Sequence, residues 1–215
     1  MTGWRLDLQR WGVWRFCYWR IMDAVKPWLT LCCVHVAQLS AGAVAPTLPE
    51  GFRVGVANRD ELMSAAHDAA IGLRPAMIDQ ALARGDICAA AFKDNVLVAY
   101  TWRSFTTAPH VDGLWVAFAR PYRYGYDAVT HPDFRGLHLQ EAVARTTDAL
   151  CIQRGFPKGI GFVESHNYAS LAMELRRGNK RVGWAGYVNA FGRAYPFRSP
   201  GTRKHTFSFV RRSSA

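Results

Sequence analysis

The run YGYDAVTHPDFRGLHLQEAV, Tyr124 to Val143, constrains this chain most. An apolar, β-favouring stretch, YGYDAV, stops at Thr130-His131-Pro132. A short turn then carries Arg135-Gly136, and Leu139, Val143 and Leu150 recur at helical spacing. Strand, tight turn and helix start, in that order, present backbone N–H groups that lack partners and are backed by the helix dipole. Such a turn is an anion site, suited to a phosphate or pyrophosphate.

The rest of the chain arranges itself around that turn. Residues 1 to about 26 read as a helix on which Trp4, Trp11, Trp14, Tyr18, Ile21, Met22 and Val25 share one arc. Arg5, Arg10, Arg15 and Arg20 spread over the remainder. This composition suits a helix lying in an anionic membrane interface, and equally one packed on the protein's own core. Residues 28–38 read as an extra strand. A cleaved leader is not expected, because Asp7, Asp23, His35 and Gln38 interrupt the pattern, and the apolar run is too short to span a bilayer. Residues 1–47 therefore form an N-terminal helix and strand, and residues 48–215 the main domain. In the latter, GFRVGVAN gives a strand, and short helices follow near 60–68 and 74–84. ICAAAFKDNVLVAYTWRSF gives a hairpin, and further strands fall near 113–118 and up to Thr130. After a helix at 137–154 come a strand at 159–165, a short helix after Asn167, and terminal strands near 181–192 and 204–211.

This order, with the run Thr130-His131-Pro132-Asp133-Phe134-Arg135-Gly136-Leu137-His138-Leu139-Gln140, resembles the GNAT superfamily of acyl-CoA-dependent N-acyltransferases. The signature there is V-x-P-x-[FY]-R-G-x-G-x-G, which wraps the pyrophosphate of coenzyme A after the fourth strand. His138 and Gln140 stand where that signature has glycines. They either narrow the phosphate's approach or add donors to it. The family's second signature, N-x-x-[AS]-[IL]-x-x-Y-x-x-x-G-[FY], is met by Asn167, Ser170, Leu171 and Gly178. Its tyrosine, which often protonates the leaving thiolate, is replaced by Glu174, and its last aromatic by Asn179. The resemblance covers about residues 50–212.

It implies an α/β fold with a mixed, mostly antiparallel twisted sheet flanked by helices, here carrying an N-terminal helix–strand extension. It also implies transfer of an acyl group, acetyl or longer, from acyl-CoA to a small-molecule or lipid-like amine, without a metal. The donor would lie along Ala128, Val129, Thr130, Arg135, Gly136, Leu137, His138, Leu139 and Gln140, with Asn167 and Ser170. Glu164, at the end of the fifth strand, is the first candidate for the base that deprotonates an ammonium nucleophile, and His131 the second. Tyr124 and Tyr126, alternating with Tyr122 along one side of their strand, are candidates to line the acceptor pocket.

Composition widens the list of partners. Lys and Arg number 27 against 16 Asp and Glu, a net charge of +11, and the last 41 residues hold ten Lys or Arg and no acid. Such a surface attracts coenzyme A, anionic headgroups or an acidic carrier protein. No nucleic-acid-binding module is recognisable, so that class of partner is not expected. An acyl carrier protein as donor, with a lipid-like product, is the alternative reading. A non-catalytic acyl-CoA-binding or membrane-associated protein is another. Five cysteines without a paired framework fit a reducing, cytoplasmic setting, with peripheral contact to the inner membrane face as an option. No Cys/His spacing suggests zinc.

Overall fold

The computed structural model describes residues 12–40, 47–111 and 113–211. In chain order its elements are α1 (Val13–Val25), β1 (Leu29–Gln38), β2 (Phe52–Val56), α2 (Arg59–Ala65), α3 (Pro75–Ala83), β3 (Ile87–Lys93), β4 (Val96–Ser104), β5 (Thr107–Val111), β6 (Leu114–Ala117), β7 (Tyr122–Thr130), α4 (Leu139–Gln153), β8 (Lys158–Glu164), α5 (Tyr168–Arg176), β9 (Lys180–Ala190), β10 (Arg193–Arg198), α6 (Pro200–Lys204) and β11 (Ser208–Arg211). The chain divides into two compact units. The first comprises Gln38–Ala108 and Phe118–Ile160; the second comprises the chain up to Ala37, Pro109–Ala117 and Gly161–Ala215.

In the first unit β2, β3, β4 and β7 form an antiparallel run, and β7 pairs in parallel with the start of β8 over Tyr122–Tyr124. The β3–β4 hairpin turns at Asp94-Asn95, both at positive φ (49° and 68°). Those dihedrals match the twist of the flanking strands, and Asp and Asn tolerate them better than most residues. α2 opens with a capping box, in which the Asn58 side chain accepts from the Glu61 N–H and the Glu61 carboxylate accepts from the Asn58 N–H. α3 opens on Pro75, whose missing N–H costs nothing in a first turn. Ala89 and Ala91 on β3 and Val98 and Ala99 on β4 form one buried cluster with Leu139 and Val143 of α4. Small side chains on the strands let the helix sit close to the sheet.

The second unit is built on β1, which pairs antiparallel with β9 from Leu29↔Val188 to Val36↔Lys180, with a bulge between Val34 and His35. β9 continues into β10 through Phe191-Gly192, both at positive φ. β6 pairs with β11, and Phe162, Phe207, Phe209, Tyr187 and His110 make edge-on or tilted ring contacts at 5.1–5.9 Å. The fold is α/β with mostly antiparallel pairing, as the resemblance implied.

Three elements have no counterpart in the sequence expectation. β5 covers the run TAPHV. β10 carries Pro196 and follows the turn at Phe191-Gly192, where the expected strand ended. α6 is a short turn of helix capped by Ser199, whose hydroxyl accepts from the Thr202 N–H. The N-terminal helix is described from Val13; Trp4, Trp11, Arg5 and Arg10 lie outside the described residues. Within it Met22 is buried and Phe16 and Trp19 are half-buried, whereas Trp14 (88% exposed) and Ile21 (60%) face solvent. The packed side is thus rotated from the expected arc, toward Phe16 and Trp19, whose rings lie 6.0 Å apart.

Gly186 lies where β9 is flanked by β1 and β10, and a Cβ there would run into the Thr30 carbonyl oxygen and the Phe197 ring. Gly186→Ala should cost about 1–3 kcal/mol, as overpacking does. By contrast Gly55→Ala, with open space around it, should be near neutral. Thermal melts of both variants check this: Gly186→Ala should melt several degrees lower, at about 2–4 °C per kcal/mol for a chain of this size.

Candidate functional site

The anion turn lies wholly in the first unit. β7 ends at Thr130, and the His131 N–H donates to the Val98 carbonyl at 2.8 Å. Pro132–Phe134 make one 3-10 turn, on which His131 Nδ1 accepts from the Asp133 N–H at 3.3 Å. That bond places the neutral ring's proton on Nε2, 3.6 Å from an Asp68 carboxylate oxygen. His131 is therefore built into the turn, and the lone pair a base would use is already engaged.

Arg135, Gly136, Leu137 and His138 follow, all exposed, with Gly136 at φ 84° and His138 at φ 55°. Two successive positive-φ positions within three residues fold the chain back so that α4 can start at Leu139. Among the described residues, the backbone N–H groups of residues 136 to 140 have no protein acceptor. They include the first N–H groups of a 15-residue helix, where the dipole favours an anion. Among the described residues, no atom beyond its chain neighbours lies within 4 Å of where a Gly136 side chain would begin, so the approach is open.

The Gln140 side-chain amide is turned to the sheet, while the residue's backbone N–H stays among the free donors of the turn. Its Nε2 donates to the Val129 carbonyl (2.6 Å), the Tyr100 carbonyl (3.1 Å) and Thr130 Oγ1 (3.1 Å). Two carbonyl acceptors can be met only by the amide nitrogen, so this orientation is chemically forced. The side chain ties the start of α4 to paired positions on β4 and β7. His138 is exposed and remains the polar side chain at the turn that is free to meet an anion alongside Arg135. Ala128 is exposed, and Val129 and Thr130 are half-buried. β7 is paired with β4 from Tyr124 to Thr130.

Tyr124 and Tyr126 are core residues of the same unit, buried with Tyr122. Their rings stack at 6.3 Å, and Tyr126 stacks on Trp102 at the same distance. The Tyr126 hydroxyl donates to Asp86 at 2.6 Å, and Arg84 donates to both Asp86 (2.9 Å) and the Tyr126 oxygen (3.1 Å). Burial, reinforced by the bond to Asp86, pushes the phenol far above its ordinary range, so it stays protonated.

Glu164 belongs to the second unit, at the end of β8. Its carboxylate meets Lys26 at 3.1 Å and His166 Nε2 at 3.3 Å. The hydrogen bond from Lys26 and the charge of Glu164 raise the lysine's pKa. His166 Nδ1 is buried and has no hydrogen-bond partner among the described residues. Glu164 and His166 open on a cavity of about 300 Å³ walled by Phe16, Trp19 and Tyr168. Sequence reasoning singled out Glu164 and missed His166, Lys26 and the aromatic walls. The signal for His166 was present in the strand-end run Glu164-Ser165-His166; the approach of Lys26 from the N-terminal helix was not readable.

Asn167 caps α5, its side chain accepting from the Ser170 N–H at 3.1 Å, so those two candidates are brought together. At the far end of α5, the Asn179 side-chain amide donates to Glu174 at 2.7 Å. Among the described residues no group of three or more His, Cys, Asp or Glu side chains is placed to hold a metal ion, and no helix is long and apolar enough to cross a membrane.

No family model matches the sequence, and no curated protein matches it. Solved structures do resemble it. A GCN5-related N-acetyltransferase from Sphaerobacter thermophilus superposes with a TM-score of 0.50 at 10% identity, covering 89% of this chain and 56% of that one. A second GCN5-related N-acetyltransferase, from Kribbella flavida, gives 0.44 at 16%, covering 75% and 59%. A putative acetyltransferase from Salmonella typhimurium, solved with its cofactor acetyl-CoA, gives 0.42 at 14%, covering 75% and 94%. The chain thus spans little more than half the length of the first two. The Sphaerobacter likeness shows the fold, which is that of the GCN5-related N-acetyltransferases.

His110 offers a test of the second unit's interior. Burial holds its imidazole below the ordinary range, with Glu164 pulling the other way. A histidine whose folded pKa is depressed contributes stability above its unfolded pKa of about 6.5 and loses it as pH falls from there through the folded value. His35, lowered by burial, acts in the same sense. The melting temperature should therefore fall on acidification from about pH 7.5 to about pH 5.5, through the ordinary histidine range. His110→Phe should flatten that fall in a series of melts.

Proposed function

We propose that this chain is an N-acyltransferase that moves an acyl group, acetyl or longer, from acyl-CoA to an amine. The observation that carries the reading is the turn after β7. Five N–H groups without protein acceptors among the described residues are gathered there, at the start of a long helix. The pyrophosphate of coenzyme A can take those N–H groups. Arg135 and His138 add charge and a donor beside them. The likeness in fold to GCN5-related acetyltransferases supports the same reading.

In the reaction, the amine nitrogen attacks the thioester carbonyl carbon, the new C–N bond forms, and the C–S bond breaks to release the coenzyme thiolate. Positioning supplies much of the acceleration, because the thioester is already activated. Glu164 takes the proton the ammonium must lose, with His166 and Lys26 holding the carboxylate in place. Glu174 is hydrogen-bonded to Asn179 at the far end of α5, and the second proton, shed by the nitrogen as the amide forms, passes through solvent to the thiolate. The acceptor is a small or lipid-like amine. A carrier protein as donor is the second reading, favoured by the +11 charge, since a phosphopantetheine arm presents the same groups. Trp14 and Ile21, exposed beside Arg15 and Arg20, favour peripheral attachment to an anionic membrane.

Calorimetric titration with coenzyme A tests the donor site. Gly136→Val places a β-branched residue at a strongly disfavoured φ and should abolish binding in a folded protein. Unchanged affinity in that variant would overturn the assignment. Glu164→Gln should leave coenzyme binding intact and lower thiol release from acetyl-CoA by about 10²-fold, within the range for a general base. Unaltered turnover would return Glu164 to a purely structural role.

A further inference from the structure

We propose that the second unit binds a free single-chain acyl carboxylate in a groove separate from the Glu164 cavity. The groove measures about 810 Å³, inside the roughly 300–1,000 Å³ usual for small-molecule sites. Its floor is one face of β1, β9 and β10. Leu31 and Phe197 both stand opposite Gly186, and Cys33 stands opposite Trp184. Residues directly opposite in a ladder share a face, and Gly186, lacking a side chain, leaves the middle of that face low. Trp184 meets Phe197 edge-on at 5.7 Å. Leu171, Ala172 and Leu175 of α5 form one wall, and Tyr18 of α1 helps form another. Leu175 and Trp184 remain 75% and 43% exposed, apolar area that a bound chain would cover.

The polar groups decide the head of the ligand. The charged residues lining the groove are Arg15 and Arg181, with no acid among them. Among the described residues neither guanidinium has a carboxylate within ion-pair distance, and Arg15 rests over the Tyr168 ring at 5.5 Å. The hydroxyls are already engaged: Tyr18 with Ser165 Oγ at 2.8 Å, and Tyr168 with the Arg15 carbonyl at 3.2 Å. A peptide or sugar would find few partners there. An alkyl chain needs none, and its carboxylate finds two cations. Among the described residues, only Tyr168 lines both this groove and the Glu164 cavity. The inference rests on the second unit alone and stands whether or not the chain transfers acyl groups.

Sodium dodecanoate below its micelle concentration is the probe, with dodecyltrimethylammonium as the same chain under a cationic head. Calorimetry should show one dodecanoate per chain, bound about tenfold or more tighter than the cation. Ala172→Phe should fill the groove and weaken dodecanoate about tenfold or more, with the melting curve retained. If that variant fails to fold, Leu175→Ser, at an exposed position, should weaken it in the same direction. Replacing Arg15 and Arg181 with Gln should erase the preference for the anion. Equal binding of the two heads, or dodecanoate affinity unmoved by both groove variants, would overturn the proposal. So would dodecanoate failing to bind while wild type and Ala172→Phe co-sediment equally with phosphatidylglycerol vesicles, which would mean adsorption to a surface.

Discussion

The seating of α4 against β3 and β4 governs what the first unit can present to a ligand. Ala89, Ala91 and Ala99 bring the helix axis close to the strands, and Leu139 and Val143 fill what space remains. With the axis fixed, the first turn of the helix can begin only where β7 ends, and the link between them has to reverse within a few residues. Gly136 and His138 take positive φ for that reason. Gln140 then bolts the helix start to the carbonyls of Tyr100 and Val129. The free N–H groups at the surface are the residue of this packing: a buried apolar contact dictates the position of an exposed polar one.

The same chain of causes explains what could be read from the sequence. Strand, turn and helix around Arg135-Gly136 were legible because each is written in local chemistry: β-branched and aromatic alternation, a glycine, then helical spacing. The hairpin at Asp94-Asn95 was legible on the same grounds. β10 was not, since Pro196 speaks against a strand, and the ladder to β9 that overrides it is a tertiary fact. The packed side of α1 was not legible from the arc, because Phe16 and Trp19, which lie outside it, help make that side. Lys26 meets Glu164 only through folding, from 138 residues away along the chain, whereas His166 stands two residues on and was legible in the strand-end run.

The departures from the family's second signature are not independent. Glu174, in the place of the tyrosine, accepts a hydrogen bond from Asn179, in the place of the aromatic. One exchange alone would leave either a carboxylate without its amide or an amide without its carboxylate. Together they lock the end of α5 to the start of β9. At the first signature Gln140 behaves likewise, trading a glycine's openness for a clamp on the helix.

The pairing of β1 with β9 has a consequence for how the chain is made. Leu29 must wait for Val188, and Cys32 for Ala185, before either ladder can close. All the strands that pair within the first unit have been synthesised by Ile160. At about 5–20 residues per second, β1 spends on the order of ten seconds outside the ribosome without its partner. During that interval an apolar strand with two adjacent cysteines is on offer to any sticky surface. The second unit therefore depends on keeping β1 covered until β9 has been made.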